Sequence, residues 1–188
     1  MSLLDSIRTG LRVITAGIGR AGQEIVSADH GAQQVALHAA ASGFVGIAQS
    51  TARVRQVIGQ VQAGIGSLAV LAGEATTVLS AVPRQSTPQE AVAMLAPVME
   101  KLNGIHDGVG GCIGQVDQAK QVTAAVLHGG DPGPLLARLD ALLQILAGVG
   151  QHVNAAREQV VAAISEARRA GSSGNRLRVA GRGSSRHP

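Results

Sequence analysis

A chain of 188 residues that is 45% hydrophobic has enough apolar material for one domain or one elongated helical unit, yet it holds one Phe and no Trp or Tyr. Its 25 glycines are about twice the usual ~7% share, so any core must be built from Ala, Val, Ile, Leu and Gly, which bury little area per residue. The single cysteine excludes an internal disulfide framework, and the net charge of +4 comes from Arg176, Arg178, Arg182 and Arg186, because the body before them is neutral.

The chain opens on MSLLDSIRTGLRVITAGIGR, where Asp5, Arg8 and Arg12 interrupt any apolar run that a secretory signal would need. Cytoplasmic residence is therefore the expectation, with export by a signal-independent route left open. Leu4, Ile7, Leu11, Ile14, Ile18, Ala21, Ile25, Ala28, Ala32, Val35 and Ala39 recur at alternating steps of three and four. That is the apolar seam of a heptad-patterned helix, predicted over 3–40. A second seam runs from Phe44 through Ile47, Thr51, Val54, Ile58, Val61, Ile65, Leu68, Ala72, Ala75 and Leu79 to Val82 and predicts a helix over 44–82. The two seams are out of phase at Ser42-Gly43, where a glycine turn is preferred over one continuous helix.

Pro83 to Ser86 breaks the pattern. Thr87-Pro88-Gln89-Glu90 then restarts it as an N-cap, a proline at the first helical position and the acid of a capping box. The third seam is Leu95, Val98, Leu102, Ile105, Val109, Cys112, Val116, Ala119, Thr123 and Val126, in a helix predicted over 88–128. Asp131-Pro132 caps the fourth, over 132–170, with Leu135, Leu139, Leu142, Leu146, Val149, Val153, Ala156, Val160, Ala163 and Ala167 on its seam. Gly171 is the expected C-terminal cap. The expected fold is all-α: an elongated antiparallel bundle, or a pair of hairpins, of four heptad-patterned helices over 1–171. Residues 172–188 have no periodicity and read as a disordered, Arg-rich tail.

Candidate chemistry is scarce. Gly17-Ile18-Gly19-Arg20-Ala21-Gly22 matches the G-x-G-x-x-G dinucleotide pattern. That pattern needs a strand before it and an acid about 20 residues on, but position 37 is Leu and the heptad seam runs straight through the glycines. Gly17, Gly19 and Gly22 are better read as places where another helix comes close, and so are Gly104, Gly108, Gly110 and Gly114, spaced as small-x-x-x-small pairs. His30 and His38 are too far apart around a helix to share a metal, and His106, His128 and His152 have no ligand-spaced partner. Cys112, on an apolar seam, reads as a buried side chain. No nucleophile elbow or phosphate loop is present. The chain thus reads as non-enzymatic, with no cofactor and no small-molecule substrate.

Between Arg55 and Glu74 runs an uncharged stretch, but Gln56, Gln60, Gln62 and Ser67 recur in it at helical spacings and suit a membrane-spanning helix poorly. The arginines of the tail, without interleaved aromatics, offer weak contact with nucleic acid or anionic lipid. The second helix carries only Arg53, Arg55 and Glu74, and a helix exposed to water is usually more charged. This predicts that it and the glycine-rich part of the third helix are covered by another chain, a second copy or another helical protein, or by a membrane surface.

The segment from Ala81 to Asn175, beginning AVPRQSTPQEAVAMLAPVMEKLNGIHDGVGGCIGQVDQAKQ, together with Ala41-Ser42-Gly43-Phe44, resembles a family of uncharacterised helical proteins from actinobacteria. The likeness extends over most of residues 1–175. It implies a helical domain found alone and also as an N-terminal segment of polymorphic toxins, and it assigns no catalytic residue. Three functions follow in order of expectation: a self-associating helical assembly protein, a delivery or membrane-surface module of a toxin or secretion system, and a polyanion-associated protein acting through the tail.

Overall fold

The computed structural model describes residues 3–83, 87–126 and 132–181, the last ten as backbone. Four helices follow one another: α1 (Leu3–Ala41), α2 (Val45–Ser80), α3 (Pro88–Val126) and α4 (Gly133–Gly181). Each packs its backbone closely against two neighbours among the described residues, in the closed ring α1–α2–α3–α4–α1. Closure by α1 against α4 selects the bundle over two separate hairpins. Neighbours run antiparallel, because contacts climb one helix as they descend the next: Gly10 lies beside Ala156 and Gly17 beside Val149. This is an up-down-up-down four-helix bundle.

The core is the four seams. Of the seam positions, those from Ile7 to Ala32, Thr51 to Val82, Leu95 to Thr123 and Leu135 to Ala163 are buried, while Leu4, Val35, Ile47, Val126 and Ala167 are half-buried near the helix ends. Phe44 departs from the expectation: it is 60% exposed. It stands outside both helices, in the turn whose geometry explains it. Gly43 has φ 80°, its N–H donates to the Ala40 carbonyl (3.1 Å), and the Phe44 N–H donates to the Ala39 carbonyl (2.8 Å). That is a Schellman cap, with Gly43 in the left-handed conformation that a Cβ would oppose. The helix break at Ser42-Gly43 is therefore a true turn.

The predicted capping box at α3 is formed in both directions. The Glu90 carboxylate accepts from the Thr87 N–H (2.8 Å), and Thr87 Oγ1 accepts from the Glu90 N–H (3.3 Å). The Thr87 bonds hold the Glu90 carboxyl below the usual carboxylate range. A depressed acid stabilises the fold above its unfolded pKa and ceases to do so as pH falls through its folded one. The stability advantage of the native chain over Glu90→Ala is therefore expected at neutral pH and to vanish on acidification, as thermal melts across a pH series would show.

α3 also runs through Pro97, which lies on the exposed side. The missing N–H falls where water can serve the orphaned carbonyl, while buried Leu95 and Val98 hold the helix to the core on either side. α4 extends ten residues beyond the expected end at Gly171. That glycine does not take the left-handed conformation a cap requires, since Gly43 is the positive-φ glycine among the described residues. Adding a residue to an existing helix costs far less than nucleating one. The proposed cap Asp131 lies outside the described residues, as does the predicted third-helix end at 127–128.

Two threonines sit in the core. Thr51 Oγ1 donates to the Ile47 carbonyl (2.8 Å), whereas Thr123, 0% exposed, has no hydrogen-bond partner for its hydroxyl among the described residues. An unpaired buried hydroxyl carries its desolvation penalty uncompensated, about 1–3 kcal/mol. Thr123→Val is expected to stabilise the fold by about 1 kcal/mol and Thr51→Val to leave it nearly unchanged, measured by urea denaturation.

Candidate interaction surface

The glycines singled out by the sequence separate sharply in space. A Cβ on Gly17 would lie 2.5 Å from Val149 Cγ2, and one on Gly108 would lie 2.7 Å from Leu68 Cδ2. These two are notches that receive a branched side chain from the neighbouring helix. Gly104 and Gly22 are in ordinary contact, with Leu71 (3.4 Å) and Ile65 (3.8 Å). Gly19, Gly110 and Gly114 face outward, and a Cβ on any of them would meet nothing within 4 Å among the described residues. The same rotation that carries Gly17 into the α1–α4 interface turns Gly19 away from it, two residues being about 200° around a helix.

A third notch escaped the sequence reading. A Cβ on Gly64 would lie 2.7 Å from Cys112 Sγ. Cys112 fills that space, and burial pushes its thiol pKa up, so it packs as an apolar side chain. Gly64, like Gly17 and Gly108, stands one residue ahead of a seam position, where the adjacent helix covers it. Counting two core positions per heptad leaves out that flank.

Each of the four interfaces carries an ion pair: Asp29 with Arg55 (3.0 Å), Glu74 with Lys101 (2.6 Å), Lys120 with Asp140 (2.5 Å) and Glu24 with Arg138 (3.4 Å). Hydrogen bonding to Glu74 and Asp140 raises the pKa of Lys101 and Lys120. Such exposed pairs add at most about 1 kcal/mol each and chiefly mark the register of the helices. Two of the three charged residues of α2 are spent in this way.

The remaining outer surface of α2 is unlike an ordinary wet helix. Ala52, Gly59, Gly66 and Gly73 recur every seven residues, all exposed, and nothing lies within 4 Å of a Cβ built on any of the three glycines. Beside them Val70 is 61% exposed, and Val45, at the start of the helix, is 60% exposed. On α3, Gly111 and Gly114 are exposed as well, beside Cys112 and level with Gly64, while the α2 stripe lies on the side of that helix nearer α1, where Arg55 meets Asp29. α2 and the Gly133–Gly171 part of α4 are long and apolar enough to cross a membrane, although the fold spends their seams on the core.

Two open grooves line α1. One, between α1 and α2, is bounded by Arg8, Arg12, Thr76 and Ser80; the other, between α1 and α4, by Val13, Arg20, Ile145, Gly148 and His152. Neither brings a nucleophile together with a base. Among the described residues no three His, Cys, Asp or Glu side chains converge as metal ligands. Arg176 and Arg178 fall on the backbone-only end of α4, and Arg182 and Arg186 lie outside the described residues.

The match to known sequences falls on one half of this architecture. Residues 86–172 match a family of unknown function (DUF6244). The matched segment takes in α3 and α4 up to residue 172, a narrower span than the resemblance over 1–175 implies. No curated protein and no solved structure matches the chain.

Proposed function

We propose that this protein is a non-enzymatic helical assembly protein that self-associates through the outer surface of α2 and the glycine-rich surface of α3. The observation that carries this reading is the exposed Ala52–Gly59–Gly66–Gly73 stripe on a helix without charge from Gln56 to Gly73. Exposed helix-interior glycine costs about 1 kcal/mol relative to alanine, and three at one heptad position give a backbone that a second helix can approach closely. α2 is about 54 Å long at 1.5 Å per residue. A strip one helix wide, about 10 Å, offers about 500 Å² per copy, more than half of the ~800 Å² per partner of stable complexes. A second copy meets the requirement by symmetry, without a further partner.

The alternative is a delivery or membrane-surface module, as in polymorphic toxins of actinobacteria, and the apolar length of α2 and α4 favours it. Polyanion contact through the arginines of the tail is a third reading. Light scattering of the full chain at micromolar concentration and physiological salt, with liposome flotation alongside, separates them. Oligomers that do not float support the proposal. A monodisperse monomer overturns it, and one that floats with liposomes points to the membrane-surface role instead.

A further inference from the structure

The two halves of the bundle share one pattern. Leu11-x-x-Ile14-x-x-Gly17-Ile18-Gly19 on α1 recurs 91 residues later as Leu102-x-x-Ile105-x-x-Gly108-Val109-Gly110 on α3. Because 91 is a whole number of heptads, matching seams alone would mean little. Heptads do not, however, dictate a glycine at the same flank position, nor what fills it. Gly17 receives Val149 of α4, and Gly108 receives Leu68 of α2. Val149 stands 81 residues after Leu68, and the seam of α4 from Leu135 to Ala163 is the seam of α2 from Val54 to Val82 shifted by the same 81. One pseudo-two-fold rotation therefore carries α1 onto α3 and α2 onto α4, and back again. The Gly17–Val149 contact of one hairpin with the other is thus repeated by Gly108–Leu68, and Gly64–Cys112 adds a third notch without a symmetry mate. The family match over 86–172 covers the second hairpin by itself.

We infer that the chain is two copies of one helical hairpin, and that the surface between them is a self-complementary docking surface for the hairpin of a second copy of this chain. Two chains pair by exchanging hairpins: α1–α2 of each packs on α3–α4 of the other and remakes the Gly17–Val149, Gly64–Cys112 and Gly108–Leu68 contacts. This goes beyond the outer-surface association above, because it uses the inner, buried surface. The contacts are the same within one chain or between two, so protein concentration during folding decides which forms. Once formed, either state persists until a hairpin unfolds.

The test uses the full chain carrying Gly64→Cys, whose Cβ falls close enough to the Cys112 sulfur for a disulfide between the two hairpins. The variant is refolded under reducing conditions at low micromolar and at hundreds of micromolar concentration, then diluted and oxidised. A covalent dimer on a non-reducing gel after concentrated refolding, and an internally bridged monomer after dilute refolding, is the expected result. Internally bridged monomer from both overturns the inference. The unaltered chain gives an independent reading should the variant misfold. Isotopically heavy and light chains refolded together at high concentration and then diluted should keep their mixed dimers by native mass spectrometry, because exchanged hairpins separate only by unfolding. Dimers held by the outer surface of α2 alone re-equilibrate on dilution, so the absence of persistent mixed dimers after joint refolding and dilution overturns the inference.

Discussion

A chain with Gly59, Gly66 and Gly73 all replaced by alanine is expected to melt higher than the native chain and to be monomeric. All three glycines lie within α2, and a Cβ on any of them meets nothing within 4 Å. Alanine therefore removes backbone entropy from the unfolded chain without creating a clash. Each exchange is worth about 1 kcal/mol, and together roughly 2–3 kcal/mol, or about 5–10 °C in Tm for a chain of this size. A second helix approaching the stripe would meet the three new methyl groups, so association weakens while the fold strengthens. Thermal melting and light scattering on the same samples check both halves. A variant that melts higher but associates as before would remove α2 from the interface. One that melts no higher while scattering as a monomer would mean that lost association offsets the gain in helix stability.

Gly17→Val is expected to act in the opposite direction, destabilising the fold by about 2–3 kcal/mol. The new side chain enters space held by Val149, with the first contact at 2.5 Å. Val149 is β-branched and itself buried, at 2% exposure, so it cannot swing aside without leaving its rotamer. Gly108→Ala should cost less, because the atom in its way is the Cδ2 end of Leu68, which has a second torsion to turn about. Gly19→Ala, two residues from Gly17 and facing open space, should stabilise by up to about 1 kcal/mol. Urea denaturation of the three variants tests the order. Equal costs at Gly17 and Gly19 would show that the glycines serve helix flexibility rather than close packing.

These contrasts show where the sequence is legible. A heptad seam is a local property: residues three and four apart share a face whatever lies opposite, so Ile14, Leu102 or Leu142 could be assigned to the core from spacing alone. The capping box at Thr87 and Glu90 and the turn at Gly43 are equally local, because the donors and acceptors lie within five residues of one another. Phe44 was misread for the same reason. It falls in step with the seam of α2 but stands in the turn, where spacing no longer reports a face.

The candidate surface was only half legible. That α2 carries little charge is written in its residues, and so is the spacing of its glycines. Which glycines are notches is not, because Gly17 and Gly19 differ only in how α4 is rotated and staggered against α1. Gly64 stands out only once Cys112 of α3 is seen to occupy the space over it. The sequence by itself determined the four helices, their buried seams and the neutral body with its basic end, because each depends on residues close along the chain. The tertiary structure alone decided the closure of the ring, the inward and outward glycines, and the equivalence of the two hairpins, because each depends on which helices meet and in what register.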